Sequence, residues 1–274
     1  MNSAPANCYA GPRRLVPALW SLVLVVVISV FVQSASSVET LEEIIEQKRA
    51  VDPEATLSIH NTDGSIRIYG GDVSEISIQA IKKAYTSDRL KSIVVDVKAT
   101  GKSVAIETIF PPKKGALSLS DRSGTVEYIV TVPQTIRITK LDLVNGEILV
   151  EGLRGGSATA HLVNGLLTAH NCFGDLDFTV VNGRLEVVYD WWDNTKFSVK
   201  LSSSHGNIWA LIPSDVSAGI TARTGTGRIA NAFEMREEIP SEPVHSLDFA
   251  TESTAETAFE INTISGNIRI DKSY

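Results

Sequence analysis

The residues that could carry chemistry are few and scattered. Histidines stand at positions 60, 161, 170, 205 and 245, and no two have the spacing of paired metal ligands. His161 lies four residues before a glycine, a place occupied elsewhere by Asp142, Thr179, Ser202, Arg223 and Asn262. A column of mixed polar residues describes a solvent-facing strand rather than a ligand set. His170, Asn171 and Cys172 form one local cluster at a turn. The only other cysteine, Cys8, precedes an N-terminal apolar run. A lone Cys172 therefore reads as a small buried apolar residue or as a reactive or intermolecular thiol. Glu151, Asp175, Asp177, Arg184 and Glu186 are the residue types a polysaccharide lyase on a β-helix needs, acidic calcium ligands with a basic residue. Here they are spread over different positions. No Gly-x-Ser-x-Gly elbow, phosphate-binding loop or dinucleotide fingerprint occurs. The expectation is a protein with no catalytic residues, no metal centre and no cofactor.

Two segments are better suited to binding. In Tyr189-Asp190-Trp191-Trp192-Asp193-Asn194, adjacent tryptophans in an extended segment point to opposite sides, so both cannot face a core. An exposed Trp191 or Trp192, kept wet by Asp190 and Asp193, would stack on a sugar or anchor a protein partner. The alternative is a plug over the flank of the fold. The second segment, Phe233 to Glu256, holds Glu234, Glu237, Glu238, Glu242, Asp248, Glu252 and Glu256 against Arg236 alone. Pro240 and Pro243 make it a loop, either a solvated flap or a surface for a cation or basic partner.

Both segments interrupt a repeat. Glycines 64, 146, 165, 183, 206, 227 and 266 share one setting. Two residues after them stand Ile66, Ile148, Leu167, Leu185, Ile208, Ile229 and Ile268. Five residues before stand Ile59, Leu141, Ala160, Phe178, Leu201, Ala222 and Ile261, again all apolar. The column seven before is apolar except at Thr139. Each unit therefore reads strand, Asn-Gly-like turn, strand, with inward positions two apart. Units run at about 18–23 residues. A hairpin meander satisfies this parity. A β-solenoid also does, and it alone explains a column of nearly identical Ile and Leu, because each coil then meets its own equivalent. The predicted class is all-β and solenoid-like, with an N-terminal β part (55–140) continuous with a repeat part (141–274).

Upstream, Leu41, Ile44, Ile45 and Lys48 share a helical face, with acids leading and bases trailing, so residues 38–54 read as a short helix and linker ended at Pro53. Before them Arg13 and Arg14 precede an apolar run from Leu15 to Val32 and then the small polar stretch 33–37. Residues 1–37 thus read as a secretory signal or as a signal-anchor that stays in the membrane. The run's 18 residues reach about 27 Å as a helix, near the minimum for a span. Of 25 basic residues only Arg13 and Arg14 lie upstream, leaving 23 against 32 acids and a net charge of −9 over 38–274. That balance excludes the basic footprint of a nucleic-acid binder.

The segment from about 51 to 274 resembles the bacterial putative-adhesin domain family. The resemblance rests on residues 55–68, running from Ala55 through Asp63-Gly64-Ser65-Ile66 to Ile68, on Val126-Glu127-Tyr128-Ile129-Val130-Thr131-Val132-Pro133, and on Val-Asn-Gly at 144–146, 163–165 and 181–183. It implies a solenoid-like fold, a periplasmic or surface setting and no catalytic residues. The Trp191-Trp192 loop and the long insertion before Gly266 depart from it. The expected role is a non-enzymatic envelope or surface module that binds carbohydrate or an envelope protein. The competing readings are a carbohydrate-active β-helix enzyme and an envelope-sensing partner of a membrane protein. A reporter active only in the cytoplasm, fused after Tyr274, should be silent, and the mass of the mature chain separates cleavage from retention. Reporter activity there would overturn the export reading.

Overall fold

In a computed structural model of the chain, the structure describes residues 40–111, 121–233, 245–251 and 256–273. The predicted export segment lies outside these residues, and so does most of the acidic insertion. Among the described residues no helix is long and apolar enough to cross a membrane. The body from Thr40 onward is one compact unit and is all-β. Its strands are β1 (Leu41–Ala50), β2 (Thr56–Gly71), β3 (Glu75–Ala84), β4 (Val94–Ala99), β5 (Ser103–Ile109), β6 (Thr125–Pro133), β7 (Arg137–Glu151) and β8 (Arg154–His170). They continue as β9 (Phe173–Val188), β10 (Ser198–Pro213), β11 (Ala218–Thr226), β12 (Ile229–Asn231), β13 (Ser246–Ala250), β14 (Thr257–Ser265) and β15 (Ile268–Ser273). One short helix, α1 (Ser87–Ser92), is capped by Thr86, whose hydroxyl accepts the Arg89 N–H.

Successive repeats pair in parallel and in register: Gly64 meets Gly146, Gly146 meets Gly165, and Gly165 meets Gly183. The Asn-Gly pairs are therefore bends inside long strands, and the hairpin alternative is excluded. At the bend the inward parity slips by one. Residues three, five and seven before the glycine are inward, and residues two and four after it are inward. Both arms of each strand thus feed one core. The Ile and Leu column after the glycine is buried throughout. Thr139, the polar exception in its column, sits at a bulge where Ile138 pairs with Leu57 and takes the inward place.

The bend needs glycine. Gly165 has φ +139°, and a Cβ there would run into the Gly146 carbonyl oxygen, as one on Gly146 would into that of Gly64. Beside this column the side-chain amides form a ladder. Asn145 donates to Asp63 at 2.7 Å, Asn164 to Asn145 at 2.9 Å and Asn182 to Asn164 at 3.1 Å.

One expectation is corrected. Residues 41–50 are a strand, not a helix, and belong to the body: β1 pairs antiparallel with β3 over ten residues. The charges that matched a helix dipole match cross-strand partners instead. Glu43 pairs with Lys82 at 2.9 Å, Glu42 with Lys83 at 3.6 Å and Lys48 with Glu75 at 3.4 Å, while Gln79 donates to Glu46. Pairing along a whole strand outweighs a local helical preference. The stack also departs from chain order. β14 and β15 lie beside β10, and β11 and β12 lie beyond them, so Gly266 sits between Gly206 and Gly227.

Gly165→Ala should cost more than about 3 kcal/mol, since it combines backbone strain with an immovable backbone neighbour. Leu185→Ala should cost about 2–5 kcal/mol, and Arg184→Ala, one residue earlier and outward, within about 0.5 kcal/mol. Denaturant midpoints read all three. Equal losses at Leu185 and Arg184 would refute the register.

Candidate functional site

The Trp loop leaves β9 through Tyr189, whose buried hydroxyl donates to the Cys172 carbonyl at 2.9 Å. Beyond it the two tryptophans part. Trp192 turns inward, half-buried against the core. Its ring centroid lies 5.6 Å from those of both Tyr189 and Phe197, and 6.3 Å from that of Phe259. Its indole N–H is buried without an acceptor. Trp191 turns outward and stays 41% exposed. Its ring lies 4.3 Å from that of Phe173, and the Arg154 guanidinium sits 4.7 Å from its centroid. Asp193 pairs with Arg154 at 3.5 Å and so steadies the cation. A small cleft of about 120 Å³ opens beside it, lined by Arg154, Phe173, Asp175, Asp193, Lys196 and Phe197 among others.

Asp190 clasps the loop to the preceding coil. Its carboxylate accepts from the Asn171 amide at 3.0 Å and lies 2.7 Å from His170 Nε2, while its own backbone N–H donates to Asn171 at 2.9 Å. Those bonds, the Asn171 amide first and His170 second, hold its pKa below the ordinary carboxylate range. Asn171 takes the left-handed conformation at φ 50°, which asparagine tolerates better than most residues. His170 reaches Glu151 from its other nitrogen at 3.5 Å, so the predicted His170 cluster is a hydrogen-bonded clasp. Among the described residues no group of three or more His, Cys, Asp or Glu is placed to hold a metal ion. Cys172 is buried, and desolvation pushes its thiol up to about 12, which makes it a packing residue rather than a reactive one.

Of the acidic insertion, Asp248 accepts from Thr221 at 3.3 Å within β13, and Glu256 is exposed. The glutamates at 234, 237, 238, 242 and 252 lie outside the described residues.

A second surface escaped the sequence analysis. On the outer side of the trailing arms, register aligns Glu186, Trp209 and Arg269 across β9, β10 and β15. With Arg184, Asn207, Asn267 and Asp271 they border a groove of about 390 Å³. The available signal was an aromatic three residues after Gly206, in an outward column that elsewhere reads Arg67, Leu149, Thr168, Glu186, Arg269 and Ala230.

No protein-family model matches the sequence, and no curated protein matches it. The chain is similar to solved structures described as adhesins. One is a putative cell adhesion protein from Clostridium sporogenes, with 14% identity, a TM-score of 0.49, and coverage of 84% of this chain and 100% of the other. A putative adhesin from Parabacteroides merdae has 13% identity, a TM-score of 0.33 and coverage of 83% and 81%. Another from Bacteroides fragilis has 13% identity, a TM-score of 0.29 and coverage of 83% and 97%.

The two tryptophans should separate in stability. Trp192→Ala removes a packed ring and should cost on the order of 3 kcal/mol. Trp191→Ala should cost about 1 kcal/mol or less. Chemical denaturation of the single variants measures both, and equal costs would contradict the inward and outward assignment.

Proposed function

We propose that this chain is a non-enzymatic binding and scaffolding module of the cell envelope or surface. In this reading the N-terminal apolar segment carries residues 38–274 out of the cytoplasm, either cleaved or kept as an anchor. The parallel coils form a solenoid-like body that presents outward columns and the Trp191 loop to a surface carbohydrate or an envelope protein. The observation that carries the reading is the exposed Trp191 ring packed on Phe173, with the Arg154 guanidinium close to both rings. A large ring already fixed in place loses little freedom when a partner covers it, and Trp and Arg are the residues that most often dominate such contacts. Asp193 orients the arginine, Asp190 ties down the base of the loop, and Trp192 packs inward beneath it. The lyase-like alternative fares worse. Glu151 lies beside His170, Asp175 accepts from Ser198, and Glu186 pairs with Arg184, so the acids of that reading engage separate local partners.

The test uses the full chain in glycan-array binding and adhesion to whole cells, with thermal unfolding alongside. Trp191→Ala should weaken binding at least about tenfold, the minimum expected of an interface hot spot, while the unfolding temperature hardly moves. Unchanged binding in a folded Trp191→Ala variant would remove this loop as the binding surface.

A further inference from the structure

We infer that the outward groove around Trp209 is a binding site for carboxylate-bearing sugars. The inference rests on the reading of the chain as an envelope binding module. It adds a ligand class and a location distinct from the Trp191 loop.

The groove is built by register. β10 lies between β9 and β15, and Trp209 stands directly between Glu186 and Arg269, with Arg184, Asn207 and Asn267 aligned in the row before. Neighbouring strands are about 4.8 Å apart, so these side chains lie within the footprint of one or two sugar rings. A volume of about 390 Å³ falls within the usual range of small-ligand sites, roughly 300–1,000 Å³. The indole is pinned in place: its Nε1–H donates to Asp271 Oδ2 at 2.9 Å, and the same oxygen accepts Arg269 Nε–H at 2.6 Å. A half-buried ring with a fixed edge is a ready platform for the C–H face of a sugar, because its position costs nothing further to order.

The polar lining is one-sided in its hydrogen-bonding capacity. Asn207 Oδ1 accepts the backbone N–H of Asn267 at 2.8 Å, and Asn267 Oδ1 accepts that of Arg228 at 2.9 Å. A backbone N–H can only donate, so each amide must present its oxygen to the neighbouring strand. Both NH₂ groups are left without a bond to any described residue. Each carboxylate has one oxygen engaged, Asp271 Oδ2 by Trp209 and Arg269, and Glu186 Oε1 by Arg184 at 3.3 Å, and both are far more covered than the arginines, at 24% and 15% exposed against 69% and 64%. What the groove presents most openly is therefore N–H: two amides and the outer edges of two guanidiniums. Donors around an aromatic floor select a ring-shaped ligand rich in acceptors. A sugar carboxylate is the acceptor that a guanidinium and two amides hold best. The chain's net charge of −7 argues against general attraction of polyanions, which leaves recognition to these local donors.

Isothermal titration of the full-length chain with short oligogalacturonates, and with the same oligomers after reduction of their carboxyl groups, tests the site. Wild type should bind the acidic oligomers and bind the reduced ones at least about tenfold more weakly, as expected for loss of charge-assisted bonds. Asn207→Asp and Asn267→Asp keep the oxygen that serves the neighbouring strand but replace the free donor with an anion. Each should weaken binding by about tenfold or more with no change in unfolding temperature. Lys98→Ala, at an exposed position of β4 away from the groove, should leave oligomer affinity unchanged. No binding by wild type, equal affinity for the reduced oligomers, or full affinity in the Asn→Asp variants would each overturn the inference. Loss of oligomer binding in a folded Lys98→Ala variant would also overturn it, because the effect would then not be local to the groove.

Discussion

The fold depends on one close approach, the passage of each repeat's glycine over a backbone carbonyl of the strand paired beside it. From Gly64 through Gly146, Gly165, Gly183 and Gly206 to Gly266 and Gly227, a Cβ at each position would strike the carbonyl oxygen of its neighbour. Only glycine fits this column, and its left-handed backbone at most of these positions reverses the inward parity so that both arms face the core. Register follows directly. A slip of one residue would bring a side chain into the glycine column and turn the Ile and Leu column outward. The asparagine ladder beside it supplies polar bonds that also fit a single register, so packing and hydrogen bonding select the same stack.

Stacked coils leave open edges, and each end of this stack meets the problem differently. At the N-terminal side the pairing changes from parallel to antiparallel at β3, and β1 lies outermost. Glu42, Glu43, Glu46, Lys48 and Arg49 make it a charged edge, a poor template for pairing with another chain. At the other end the final strands of the chain, β14 and β15, lie inside the stack, with β11, β12 and β13 outside them. The repeat of β14 and β15 thus joins β10 to β11 and β12. The aromatic cluster of Phe173, Tyr189, Trp192, Phe197 and Phe259 spans the coils between these ends. It fills the space where the chain leaves its regular period at the Trp loop.

The inward columns were legible in the sequence because steric exclusion and burial each act on one position at a time. Gly165 and Leu167 announce themselves without knowledge of their neighbours. Residues 41–50 did not, because their order of acids and bases satisfies a helix dipole locally and β3 at a distance, and only tertiary pairing decides. The exchange of Gly227 and Gly266 in the stack was hidden for the opposite reason: equivalent repeats offer equivalent surfaces, so their columns carry no record of order. Trp191 and Trp192 could be separated in principle by strand parity, but the loop between β9 and β10 is not a strand, and nothing local says which ring the core takes. The Trp209 groove was hidden because Glu186 and Arg269 come beside that residue only through register.

The same division shapes where function can reside. Interior positions are bound by the glycine column and its packing, so a change there alters the stack before it alters any ligand. Outward positions feel no such constraint, and their residues vary freely from coil to coil: Arg67, Leu149, Thr168, Glu186, Trp209, Arg269 and Ala230 occupy one column. A binding surface on this body is therefore assembled sideways, one residue from each of several coils, at a spacing set by the strands. That geometry favours extended ligands with repeating units over compact ones enclosed in a pocket. Trp209 and Trp191 place an aromatic ring outward in two different ways. The first is tied within a strand column by Asp271, and the second stands on a loop tied down through Asp190 and Asp193.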